Sequence, residues 1–166
     1  VGGINQPDVP SNTLTFKVDR KITLTVAEVG GASTNVVPGA SAQVLTFTVT
    51  NDSNAPMDFR LVATQDATSA TTAFGDTDSF NVTAPQVFVD GNGNGVYDPA
   101  GDTVTFIDEL PADTLKTVFI VSTIPSGQVN GDTAGLTLTA VAAQRTDGTG
   151  AYAATATTLA ADAVET

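Results

Sequence analysis

The feature that most limits what this chain can fold into is its punctuation. Short runs in which Thr and Val alternate are cut at close intervals by Gly30-Gly31, Pro38-Gly39, Asn51-Asp52-Ser53-Asn54, Pro125-Ser126-Gly127, Asn130-Gly131-Asp132 and Thr146-Asp147-Gly148. Branched Cβ atoms stiffen an extended backbone and suit a half-buried pleated surface, while Gly, Pro and Asn supply turn conformations. The pattern predicts strands over 13–26, 43–50, 57–64, 86–89, 103–107, 115–122 and 136–143, with a weaker one over 152–159. The interval 65–81 has only Phe74 and Phe80 as large apolar anchors and reads as a surface loop with room for a helical turn. Strands and breakers at this spacing predict an all-β sandwich, and 166 residues suffice for one such domain.

The first predicted strand is unusual. Leu14, Phe16, Val18, Ile22, Leu24 and Val26 keep one even-numbered phase, interrupted only by Arg20. A continuous strand of that length would reach about 40 Å at about 3.3 Å per residue, against a usual five or six residues. Two readings follow. In one, residues 1–19 form an extended N-terminal arm that leaves the body at 20–166 and completes a sheet in the next subunit, with Leu14, Phe16 and Val18 as inward plugs. In the other, two ordinary strands bend at Asp19-Arg20-Lys21, or one strand passes between the two sheets of its own sandwich.

The most specific local motif lies at 90–102. Asp90, Asn92 and Asn94 place oxygen side chains at alternate positions, Gly95 allows a sharp turn, Val96 presents a backbone carbonyl, and Asp98 and Asp102 follow. That is the order of ligands in a calcium loop. It departs from the EF-hand because position twelve is Gly101, so Asp102 must close the shell. Three carboxylates predict weak affinity, on the order of 10⁻⁴ to 10⁻³ M, for a structural Ca2+. The other reading is a pair of Asn-Gly hairpin turns.

Charge and composition remove several function classes. Eighteen acidic against six basic residues give a net charge of −12, which repels nucleic acid and anionic lipid. No apolar run approaches the roughly 20 residues that span a bilayer, so no membrane insertion is expected. The chain begins at Val1 without a basic and apolar leader, and a processed, secreted form is expected. It has no Cys and no His, so disulfides, thiolate sites and the commonest general base are missing. Asp108-Glu109 and Asp76 with Asp78 are paired carboxylates that read more simply as solvated surface, and no enzyme is expected. Lys116, the best candidate for a side-chain crosslink, is expected to point outward, opposite Leu115 and Thr117. Asn51 and Asn81 each begin a glycosylation sequon.

The segment 37–54, with Val37-Pro38-Gly39 before a strand ending in Thr48-Val49-Thr50-Asn51, and with Pro56 and Asp58 beyond, resembles the conserved Ig-like repeat family of prokaryotic surface proteins. The resemblance runs over roughly 14–141. It implies an immunoglobulin-like β-sandwich in an extracellular or cell-surface setting: a homopolymeric filament or surface-layer subunit, or a repeat of an adhesin that binds an external ligand. A second Pro-Gly motif of this kind does not recur in the chain, which favours assembly between identical subunits over a tandem array.

Overall fold

The structure, a computed structural model, describes residues 10–143; the strand expected over 152–159 lies outside them. The described residues form seven strands and no helix: β1 (Leu24–Glu28), β2 (Gln43–Asn51), β3 (Met57–Gln65), β4 (Thr83–Val89), β5 (Phe106–Leu110), β6 (Thr114–Thr123) and β7 (Leu136–Ala143). They make two antiparallel sheets, a four-stranded one in the order β1-β2-β6-β4 and a three-stranded one in the order β5-β3-β7. The all-β expectation and the two-layer arrangement therefore hold.

Alternation decides which side chains meet between the sheets. In β2 the odd residues Phe47 and Val49 face inward and pair with Val118 and Lys116 of β6, while β3 contributes Phe59 and Leu61 from the other layer. Phe59, Val49, Val118 and Ile120 lie fully out of solvent. The Pro38-Gly39 breaker before β2 is a type II turn: Ala40 N–H donates to the Val37 carbonyl at 3.1 Å, and Gly39 takes the positive φ of 78° that this turn requires at its third residue.

Four local expectations need correction. The first strand begins at Leu24, and residues 10–23 belong to no strand: beyond the Thr23 and Lys21 carbonyls, which accept Asp52 N–H at 2.9 Å and Asn54 N–H at 3.4 Å, no described segment supplies them with a ladder partner. The fifth strand covers 106–110 rather than 103–107. Val104 is drawn to β4 instead, where its carbonyl accepts Val89 N–H at 2.7 Å. The register slips between Met57 and Phe59, and there the buried Asp58 carboxylate accepts Glu109 N–H at 2.7 Å, holding Glu109 at φ 47°. Lys116 stands in the inward phase of Val118, half-buried at the end of its strand, while Leu115 takes the exposed side.

The fourth correction concerns the loop over 65–81. It contains no helical turn; Thr71 and Thr77 form an isolated antiparallel bridge that folds it into a small hairpin. Asp78, expected at the surface, is buried at the base of that hairpin. One of its oxygens accepts Gly135 N–H at 2.7 Å, and the other, with Gln65 Oε1 and Thr72 Oγ1, lies buried without a protein partner.

Candidate functional site

Two features carry the sequence expectations about function, the loop at 90–102 and the N-terminal arm. The loop is built around two buried carboxylates. Asp90 ends the β4 side, where its Oδ1 accepts Gly93 N–H at 2.7 Å and Asn94 N–H at 3.3 Å, and its Oδ2 accepts Gly95 N–H at 2.8 Å. Asp102 closes the other end, with Oδ1 accepting Gly91 N–H at 2.8 Å and Oδ2 accepting Asp98 N–H at 2.7 Å. Asn92, Asn94 and Asp98 each accept the backbone N–H two residues on, from Asn94, Val96 and Ala100. The ends of the loop touch: a Cβ on Gly91 would stand 2.7 Å from the Gly101 carbonyl oxygen. Local sequence explains this geometry, since Asn and Asp side chains bond the backbone two residues ahead and Gly95 accepts φ 74°.

Two buried carboxylates are thus satisfied by backbone donors, which lowers the cost of placing them side by side. A carboxylate offers about four lone-pair sites, so both Asp90 and Asp102 retain acceptor capacity for a hard cation. Among the described residues no three His, Cys, Asp or Glu side chains gather into a metal-holding group. The calcium reading would need Asp90, Asp98 and Asp102 to converge with Asn92, Asn94 and the Val96 carbonyl on one ion.

Tyr97, which sequence reasoning passed over, is the part of the loop that touches the body. Its ring lies 5.8 Å from Phe119, edge-on, and 5.3 Å from Phe88. Phe88 and Phe119 are cross-strand partners on the outer face of the four-stranded sheet, and Phe119 is fully buried there. The loop is folded over that face like a clasp. An aromatic residue in the middle of an otherwise Asp, Asn and Gly segment was the available signal.

The arm presents the opposite picture. Leu14, Phe16 and Val18 are 84%, 97% and 82% exposed, in alternation, with no strand partner among the described residues. Its base is clamped. Asn54 accepts Lys21 N–H at 2.8 Å and donates to the Asp19 carbonyl at 2.9 Å, Ser53 Oγ both accepts Thr23 N–H and donates to the Thr23 carbonyl at 3.0 Å, and Arg20 donates to the Pro56 carbonyl at 2.8 Å. The Asn51-Asp52-Ser53-Asn54 turn at the end of β2 thus holds residues 19–23.

The remaining sequence candidates separate. Asp108 and Glu109 are exposed, and Asp76 is exposed while Asp78 is buried. Asn51 of the first sequon is fully buried, its amide donating to the carbonyls of Ala55 at 2.9 Å and Leu110 at 2.8 Å; Asn81 of the second is exposed. No helix among the described residues is long and apolar enough to cross a membrane. The chain matches no protein-family model, and comparison with curated proteins and with solved structures finds no match.

Proposed function

We propose that the chain is a non-catalytic structural subunit of an extracellular filament or surface layer, an immunoglobulin-like sandwich joined to identical copies by β-strand addition through residues 12–19. The observation that carries this reading is the arm itself: Leu14, Phe16 and Val18 alternate in strand phase at 82–97% exposure, on a base fixed by side-chain hydrogen bonds. Burying a Leu, Phe or Val side chain is worth about 1.5–3 kcal/mol, so three of them held in water constitute a strong drive to pair. A strand that supplies both main-chain hydrogen bonds and alternate apolar plugs is the general currency of β-augmentation.

The sheet order supports the immunoglobulin-like reading. β1-β2-β6-β4 follows the A-B-E-D order of a constant-type sheet, and the adjacent β3 and β7 follow C and F, with β5 an extra strand on the far edge. The extracellular setting rests on the resemblance of residues 37–54 to surface repeats. In such a setting millimolar Ca2+ bound by Asp90, Asn92, Asn94, Val96, Asp98 and Asp102 would pin the clasp without taking part in chemistry.

The test uses the full chain with Leu14→Ser, Phe16→Ser and Val18→Ser together. These side chains are 82–97% exposed, so the variant is expected to keep its circular dichroism and its thermal transition. Electron microscopy and light scattering at equal concentration should show regular fibres from the parent chain and monomers from the variant, as from a chain lacking 1–19. A parent chain that stays monodisperse and monomeric removes strand donation and leaves the adhesin repeat, with saturable ligand binding, in its place.

A further inference from the structure

The two sheets are unequal, with four strands in one and three in the other. On one side of the sandwich the edge strands β1 and β7 face each other across the layers. Ile22, Leu24, Val26, Leu136 and Ala140 turn toward the core on this side and are only partly covered, while Leu138 and Ala142 of β7 are buried. On the opposite side Val89 of β4 and Ile107 and Leu110 of β5 are buried, and Val87 of β4 is partly covered. The outer edge of β7, away from β3, pairs with no described strand. In a constant-type immunoglobulin sandwich this place, beside F and across from A, belongs to strand G.

We infer that this seam, the outer edge of β7 above β1, is the acceptor for residues 12–19 of a second copy of the chain; the inference rests on the strand-donation reading above. Size agrees, since the arm segment and β7 are both eight residues long. Pattern agrees: with Leu14, Phe16 and Val18 turned inward they would cover the half-buried row of β1 and β7, while Thr13, Thr15 and Lys17 join the exposed row of Thr137 and Thr139. Charge does not oppose it: residues 12–19 hold Lys17 and Asp19, a net zero, whereas 22–166 hold three basic and sixteen acidic, a net −13. Glu28 ends β1, and Asp66 abuts Gly135 just before β7, so the seam is flanked by carboxylates where a Lys-bearing strand would enter. The subunit's own arm does not fill the seam, because its plugs stand in solvent beyond the clamp at 19–23.

The chain has no Cys, so introduced thiols report without background. One full-length chain carries Thr13→Cys, Thr15→Cys or Lys17→Cys; a second, mixed with it before assembly, carries Thr137→Cys, Thr139→Cys or Val141→Cys. Directly opposed residues on one face of adjacent strands lie about 4.5–5.5 Å apart at Cβ, close to what a disulfide needs. The expected result is a reducible inter-chain cross-link that appears with assembly, is strong for one set of pairings, and is absent when the body carries Gln86→Cys on β4, Asp108→Cys on β5 or Thr25→Cys on the outer face of β1. Fibres that cross-link through one of those other positions, or through none on β7, overturn the acceptor while leaving strand donation in place. A cross-link within one chain between Thr139→Cys and Leu159→Cys, retained in fibres, assigns the seam to the chain's own C-terminal segment and also overturns it. No fibres at all, under conditions where the parent chain stays monomeric, defeats the functional reading itself.

Discussion

At the scale of single residues, the polar side chains that hold this molecule are mostly ones whose sequence context looked like turn chemistry. Asn51 ends the Thr-Val-Thr-Asn run, and its buried amide ties the β2–β3 turn to the end of β5 through Ala55 and Leu110, while its Oδ1 accepts Ser53 N–H at 3.0 Å. Asn51→Ala removes the donor to one buried and one part-buried carbonyl and the acceptor for the Ser53 N–H. A lost hydrogen bond costs about 1 kcal/mol net and an orphaned buried group about 1–3 kcal/mol. With the bond to the Leu110 carbonyl buried, a loss of about 2–4 kcal/mol is expected in urea unfolding with an unchanged m-value. Asp58→Ala should act differently: without its bond to Glu109 N–H the positive φ at Glu109 is unsupported, and hydrogen exchange at 106–110 should accelerate beyond the global loss of stability. The role of Asn51 as a peg was not legible, because nothing local says that its amide reaches a residue fifty-nine positions away.

Among the elements, the clasp at 90–102 was the most readable. Asp, Asn and Gly at alternate positions specify their own backbone bonds, and Asp90, Asn92, Asn94 and Asp98 make them. What the loop packs against was not readable, since Tyr97 meets Phe88 and Phe119 only after β4 and β6 have paired. Tyr97→Ala uncovers that outer face and should lower stability by about 2–4 kcal/mol, less than for a fully buried aromatic because Tyr97 is half-exposed. Calcium tests the same element. At millimolar Ca2+ the parent chain should gain about 1–2 kcal/mol over its value in chelator, read as a rise in Tm, and Asp98→Ala should abolish the gain while keeping most of the calcium-free stability. An equal Tm with and without Ca2+ leaves the loop as a self-satisfied clasp.

For the whole molecule, strand donation predicts that a subunit is less stable alone than in a polymer. A synthetic peptide of residues 11–21, added in excess to the full-length Leu14→Ser, Phe16→Ser, Val18→Ser variant, should fill the seam and raise its Tm on the order of 5 °C; a peptide bearing the same three serines should not. The sequence by itself determined the strands, the turns and the phase of the arm, because alternation and turn residues are local: 43–51, 57–65 and 136–143 lie close to where Thr, Val and the breakers place them. Tertiary structure decided what depends on partners distant in the chain. It set where the first strand begins, because a strand needs a ladder; it shifted β5 to 106–110, because Val104 was taken by β4; it buried Asp78 and turned Lys116 inward, because pairing register assigns faces. It also decided that Leu14, Phe16 and Val18 stand in water, because no described strand offers them a ladder partner, a fact that no window of sequence contains.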